Sequence, residues 1–144
     1  MDDKQSKLVT DAVDEKIKAL EPSQRQAKIF CEAFHAIARL CHETSALKGF
    51  WKSEDRGGPT TYEVDVPKRI ALLHTEVSEA FEGYRSDLAD DHLPDESMFS
   101  VELADVIIRI MDMSIAMNLN VEGLVIRKMV YNITRPPMHG GKKF

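Results

Sequence analysis

The stretch Ile70-Ala-Leu-Leu-His-Thr-Glu76-Val-Ser-Glu79-Ala-Phe-Glu82 and its counterpart Val101-Glu102-Leu-Ala-Asp105-Val-Ile-Ile-Arg109 decide how this chain is read. In each, apolar residues recur at three- and four-residue steps, the period of a helix buried on one side. Each also carries two carboxylates three residues apart, which puts both on one helix face, with Cβ atoms roughly 5–6 Å from one another. Apolar neighbours on both sides mean that folding draws these acids together and away from water. If the four acids meet, two carboxylates near 5 Å repel by about 3 kcal/mol even at an effective dielectric near 20, a penalty that divalent cations would remove. Most helical acids are instead surface charges paired with Lys or Arg. Two pairs of the same spacing, on helices joined by a single loop, make the metal-binding alternative the more specific one.

Outward from these two segments, helical periods and stop signals divide the rest of the chain. Asp65 caps the segment that begins at 66, with Pro67 in its first turn, where the missing amide costs nothing. Upstream, Ser23 and Gln26 form a capping box for a helix over about 23–47, and Gly49 supplies its left-handed stop. Downstream, Ser86 to Glu96 reads as a solvated polar loop. Residues 97–117 are apolar on most sides, the pattern of a central buried helix. Asn118 and Asn120 close that helix and cap the next, 121–134, which Pro136-Pro137 ends. The expected fold is all-α, a four-helix-bundle type with core helices at about 23–47, 66–85, 97–117 and 121–134. A thinner amphipathic helix over residues 4–20, carrying Val9, Val13 and Ile17, is suited to docking or to an oligomer contact. The Gly-Gly-Lys-Lys stretch over residues 140–143 belongs to a flexible tail.

Composition narrows the function. The 144 residues suit one domain of 43% hydrophobic and 30% charged residues, an ordinary globular balance. A formal net charge of −5 argues against binding a nucleic acid polymer or an anionic membrane, since both require a basic surface. The amino terminus lacks the layout of a signal peptide, and no stretch has the apolar length of a membrane span, so a cytoplasmic location is expected. Cys31 and Cys41, ten residues apart on one helix, lie too far apart for a disulfide and read as reduced packing residues.

Donor chemistry selects the metal. Carboxylates without Cys or His favour Mg²⁺, with Mn²⁺ as a substitute, over Zn²⁺ or copper. A di-iron bundle would require Glu-x-x-His, and neither Glu79 nor Glu102 is followed by His at that spacing. On the last helix Lys128, Asn132 and Arg135 fall at steps of four and three and form one cationic edge. Carboxylate-held Mg²⁺ with such an edge describes a polyphosphate site, in which attack of water on the phosphorus nearest the sugar would release pyrophosphate. Glu79 is the preferred general base, paired with Glu76 in catalysis and with Glu82 in reserve, because a base must stay partly free of metal. Phe50 and Trp51 open a loop over residues 50–64. Trp51 is either a hydrophobic plug over the bundle end or a surface for base stacking, which is worth roughly 1–3 kcal/mol per base. His35 and His42 read as solvated or hydrogen-bonded bystanders.

The arrangement Glu76-x-x-Glu79, twenty-two residues, Glu102-x-x-Asp105, followed by Lys128, Asn132 and Arg135, resembles the MazG-like all-α nucleoside triphosphate pyrophosphohydrolases, relatives of dimeric dUTPases and dCTP pyrophosphatases. The resemblance covers about residues 25–139. It implies that Glu76, Glu79, Glu102 and Asp105 are Mg²⁺ ligands and that Lys128, Asn132 and Arg135 contact phosphate or sugar. It further implies conversion of (d)NTPs to monophosphate and pyrophosphate, a housecleaning role, and a homodimer or homotetramer in which helices of two subunits complete each bundle. The alternatives are a catalytically silent nucleotide-binding module and a helical interaction protein.

Overall fold

The computed structural model describes residue 15 and residues 18–51 and 65–135. The described residues form four α-helices: α1 (Gln24–Leu47), α2 (Val66–Ser86), α3 (Met98–Ala116) and α4 (Val121–Ile133). The fold is all-α, and each helix agrees with its sequence-based bounds to within one residue at either end. Most of the amino-terminal helix expected over 4–20, the greater part of the 50–64 loop, Pro136-Pro137 and the Gly-Gly-Lys-Lys tail lie outside the described residues.

The ends of the helices follow from local chemistry. Gln26 donates its backbone N–H to Ser23 Oγ at 3.2 Å, and Ser23 donates its own N–H to Gln26 Oε1 at 2.9 Å, completing the capping box. Gly49 takes φ 87°, and the amide of Phe50 reaches back to Ser45 O, closing α1. Asp65 accepts the amide of Lys68 at 3.0 Å, Ser97 that of Ser100 at 3.3 Å, and Asn120 that of Gly123 at 3.0 Å.

The chain divides into two compact units. One comprises Phe34–Leu119, hence the second half of α1 with α2 and α3. The other holds the described residues up to Ala33 together with those from Asn120 onward, including α4.

Within the first unit, α2 and α3 pair as an antiparallel hairpin. Gly83 permits their closest approach, since a Cβ there would stand 2.8 Å from the Phe99 amide nitrogen and 2.9 Å from Met98 Cβ. The Tyr84 and Phe99 rings meet beside it at 5.5 Å. The connection between the helices is more built than a solvated loop. Asp87 adopts a left-handed conformation (φ 50°) and caps α2 by donating its N–H to Gly83 O. Ala89 and Ser97 form an isolated antiparallel bridge, and buried Asp90 accepts the amides of His92 and Leu93 at 2.9 and 2.8 Å. Local amides satisfy this aspartate, so it is buried where the sequence suggested a solvated charge.

The apolar helix α3 also departs from expectation. Its buried residues are Glu102, Asp112 and Ser114, whereas Leu103, Ile107 and Ile108 are exposed. Its polar line faces α2 and α1, and its greasy flank faces outward. Val77, Phe81 and Tyr84 on α2 are exposed as well.

Candidate functional site

Glu76 and Glu79 project from the middle of α2, and Glu102 and Asp105 from the first half of α3. The antiparallel pairing sets three of these four acids against one another. Glu76, Glu102 and Asp105 each place a carboxylate oxygen within 4.8 Å of the other two. Glu79 stands outside this trio, half-buried, with its charge still felt at Glu102.

Burial and like charge govern the chemistry of the cluster. Glu76 is 5% and Glu102 9% exposed. Burial, then a hydrogen bond with Glu76 and the charges of Glu79, Glu76 and Asp105, push the Glu102 carboxyl up to about 7. Asp105 is also raised, first by burial and then by Glu76, with Arg109 opposing the shift. Arg109 makes the cluster's ion pair, joining its guanidinium to Glu76 Oε1. Glu102 Oε2 is buried and has no hydrogen-bond partner. A buried acceptor left unmatched is costly, and this one belongs to one of three carboxylates that crowd together. Three carboxylates with no His or Cys form a hard-cation donor set, and these residues fit Mg²⁺ or Mn²⁺.

A cavity of about 580 Å³ adjoins the trio within the same unit. Asp105 and Arg109 line it, tying it to the acids, and Lys48 and Arg69 add two further cations. The volume lies in the range of small-molecule sites.

One wall of the cavity belongs to a network that the sequence left unmarked. Buried Asp112 accepts the Trp51 indole N–H at 2.8 Å and the Ser45 hydroxyl at 2.9 Å, and its Oδ1 lies 2.8 Å from His42 Nδ1. Trp51 is 6% exposed, its ring edge-on to His42 and its face covered by the Arg69 guanidinium at 3.8 Å. The indole is thus buried, with the guanidinium over one face of the ring. Asp112 lies seven residues, about two helical turns, after Asp105 on α3, so the spacing puts the two on one side of the helix but does not identify the partners.

The remaining candidates separate. Glu82 is held by Arg85 at 2.6 Å and by Ser86 at 2.8 Å, and the Arg85 hydrogen bond lowers its pKa, leaving it a poor reserve for proton transfer. Lys128, Asn132 and Arg135 are exposed along and just beyond α4, in the other unit, with Lys128 Nζ 4.3 Å from the Tyr131 ring centroid. Cys31 and Cys41 are free thiols, each half-buried.

Comparisons with protein-family models, curated proteins and solved structures each return no match.

Proposed function

We propose that this chain is a Mg²⁺-dependent nucleoside triphosphate pyrophosphohydrolase of MazG-like type, converting a (d)NTP and water to (d)NMP and pyrophosphate in nucleotide-pool housecleaning. The observation that carries the reading is the trio of Glu76, Glu102 and Asp105, with the unpartnered Glu102 oxygen, at the edge of a cavity lined by cations. Those three residues would hold the ion, which when bound supplies charge neutralisation and polarisation at the reacting phosphate and water. Glu79, outside the trio but with its charge felt at Glu102, would take the proton from water. Lys48 and Arg69 present positive charge to a polyphosphate entering the cavity. The resemblance adds Lys128, Asn132 and Arg135 as phosphate or sugar contacts.

The exposed apolar stripe Val77, Phe81 and Tyr84 on α2, with Leu103 and Ile107 on α3, supports a homodimer or homotetramer. Among the described residues no helix is long and apolar enough to cross a membrane. A cytoplasmic location goes with this reading as part of the proposal.

A panel of (d)NTPs assayed for pyrophosphate release with Mg²⁺ tests the reading. Turnover of at least one nucleotide, lost in Glu102→Gln, is expected. No turnover of any nucleotide with Mg²⁺ or Mn²⁺ would overturn it, and nucleotide-dependent thermal stabilisation without turnover would identify a silent binding module instead.

A further inference from the structure

Arg109 occupies two environments at once. It lies four residues after Asp105 on α3, and its guanidinium reaches α2 to pair with Glu76. Yet its side chain is 39% exposed and its Nε–H is buried without a partner. A guanidinium has five N–H donors in a fixed fork, and a buried donor left without an acceptor is unfavourable. Here the match is incomplete on both sides, since Glu102 Oε2 is unpartnered as well. The arginine neutralises part of the cluster's charge without satisfying its hydrogen bonds. The same residue borders the cavity lined by Lys48 and Arg69.

We infer that Arg109 is a displaceable internal counter-ion: without a divalent cation it rests on Glu76, and a cation bound by the acid trio releases its guanidinium toward the cavity to bind a polyphosphate anion. The inference rests on the trio being a cation site, and adds to it a link between the two ligands. A divalent ion at Glu76 both competes for the carboxylate and repels the guanidinium. The freed fork then faces anionic oxygens, which it suits better than a single shared carboxylate. Cation and anion binding therefore strengthen one another, with a coupling that is equal in both directions.

Arginine side-chain NMR on the full chain tests this, with the Arg109 Nε–H signal assigned by its absence from Arg109→Lys. Titration with Mg²⁺ alone is expected to shift that signal over the same concentrations that shift the backbone amides of Glu76 and Glu102. Inorganic pyrophosphate added in excess Mg²⁺ then shifts it again. By calorimetry, Arg109→Gln binds Mn²⁺ more tightly than the wild type, roughly fivefold or more, and binds pyrophosphate with Mg²⁺ more weakly. Mg²⁺ binding that moves the Glu76 and Glu102 amides but leaves the Arg109 signal in place would overturn the inference while sparing the cation site. So would Mn²⁺ binding of equal strength in wild type and Arg109→Gln. Absence of any Mg²⁺ or Mn²⁺ binding by the wild type would overturn the cation site and the inference together.

Discussion

Trp51 donates its indole N–H to Asp112 at 2.8 Å, joining the segment just after α1 to the last turns of α3 through a buried carboxylate. Ser45 donates to the same carboxylate, and His42 Nδ1 lies at hydrogen-bond distance from it. Removing it leaves several donors without an acceptor. Asp112→Ala is expected to lose roughly 2–3 kcal/mol of stability in urea unfolding. Trp51 is the sole tryptophan, so its emission reports the same event, with a red shift in the variant as water reaches the indole. Unchanged emission and stability would show that the network does not hold Trp51 in place.

Stability of the metal-free protein should depend on pH through Glu102. In the unfolded chain this carboxyl ionises near 4.5, whereas in the fold it is pushed up to about 7. Between these values the folded state keeps a proton that the unfolded state has lost, so stability falls as pH rises through the window. The loss is on the order of 3 kcal/mol, complete above the folded value and absent below the unfolded one. Urea unfolding from about pH 5 to about pH 8 should show this slope in the wild type, and Glu102→Gln should flatten it.

Gly83 is required by the approach of α3 to α2. In Gly83→Ala the new methyl group would meet the Phe99 amide nitrogen at 2.8 Å, and that backbone atom cannot swing aside as a flexible side chain would. Destabilisation of about 1–3 kcal/mol is expected from overpacking, measured by chemical denaturation. An alanine variant as stable as the wild type would mean that the helix pair separates without cost.

The apolar residues left in solvent on α2 and α3 should mark a subunit interface. Phe81 is 66% and Ile107 53% exposed, far more than the buried acids between these helices. Phe81→Asp combined with Ile107→Asp is expected to lower the sedimenting mass to that of one chain while the helical circular dichroism is retained. A wild type that already sediments as a single chain would remove the interface.

The acid spacing, the caps and the helix bounds were legible because each depends on groups three or four residues apart, within one turn of backbone. Ser23, Gln26, Gly49, Asp65 and Asn120 all behave as their local chemistry requires. The apolar richness of α3 was legible too, but not its direction. Periodicity identifies a stripe without identifying what covers it, and here the covered side is the line of Glu102 and Asp112. Asp90 was misjudged for a related reason, since local amides in its own turn satisfy a carboxylate whose composition suggested solvent.

By itself, then, the sequence determined the all-α character of the described residues and the positions of their four helices, two of them carrying paired acids. Only the tertiary structure decided that Glu76, Glu102 and Asp105 converge while Glu79 stands aside, that Arg109 lies on Glu76, and that Asp112 anchors Trp51. Helix formation is governed by neighbours along the chain. Which carboxylates meet, and which cation answers them, depends on the antiparallel register of α2 and α3, which places residues far apart in sequence side by side.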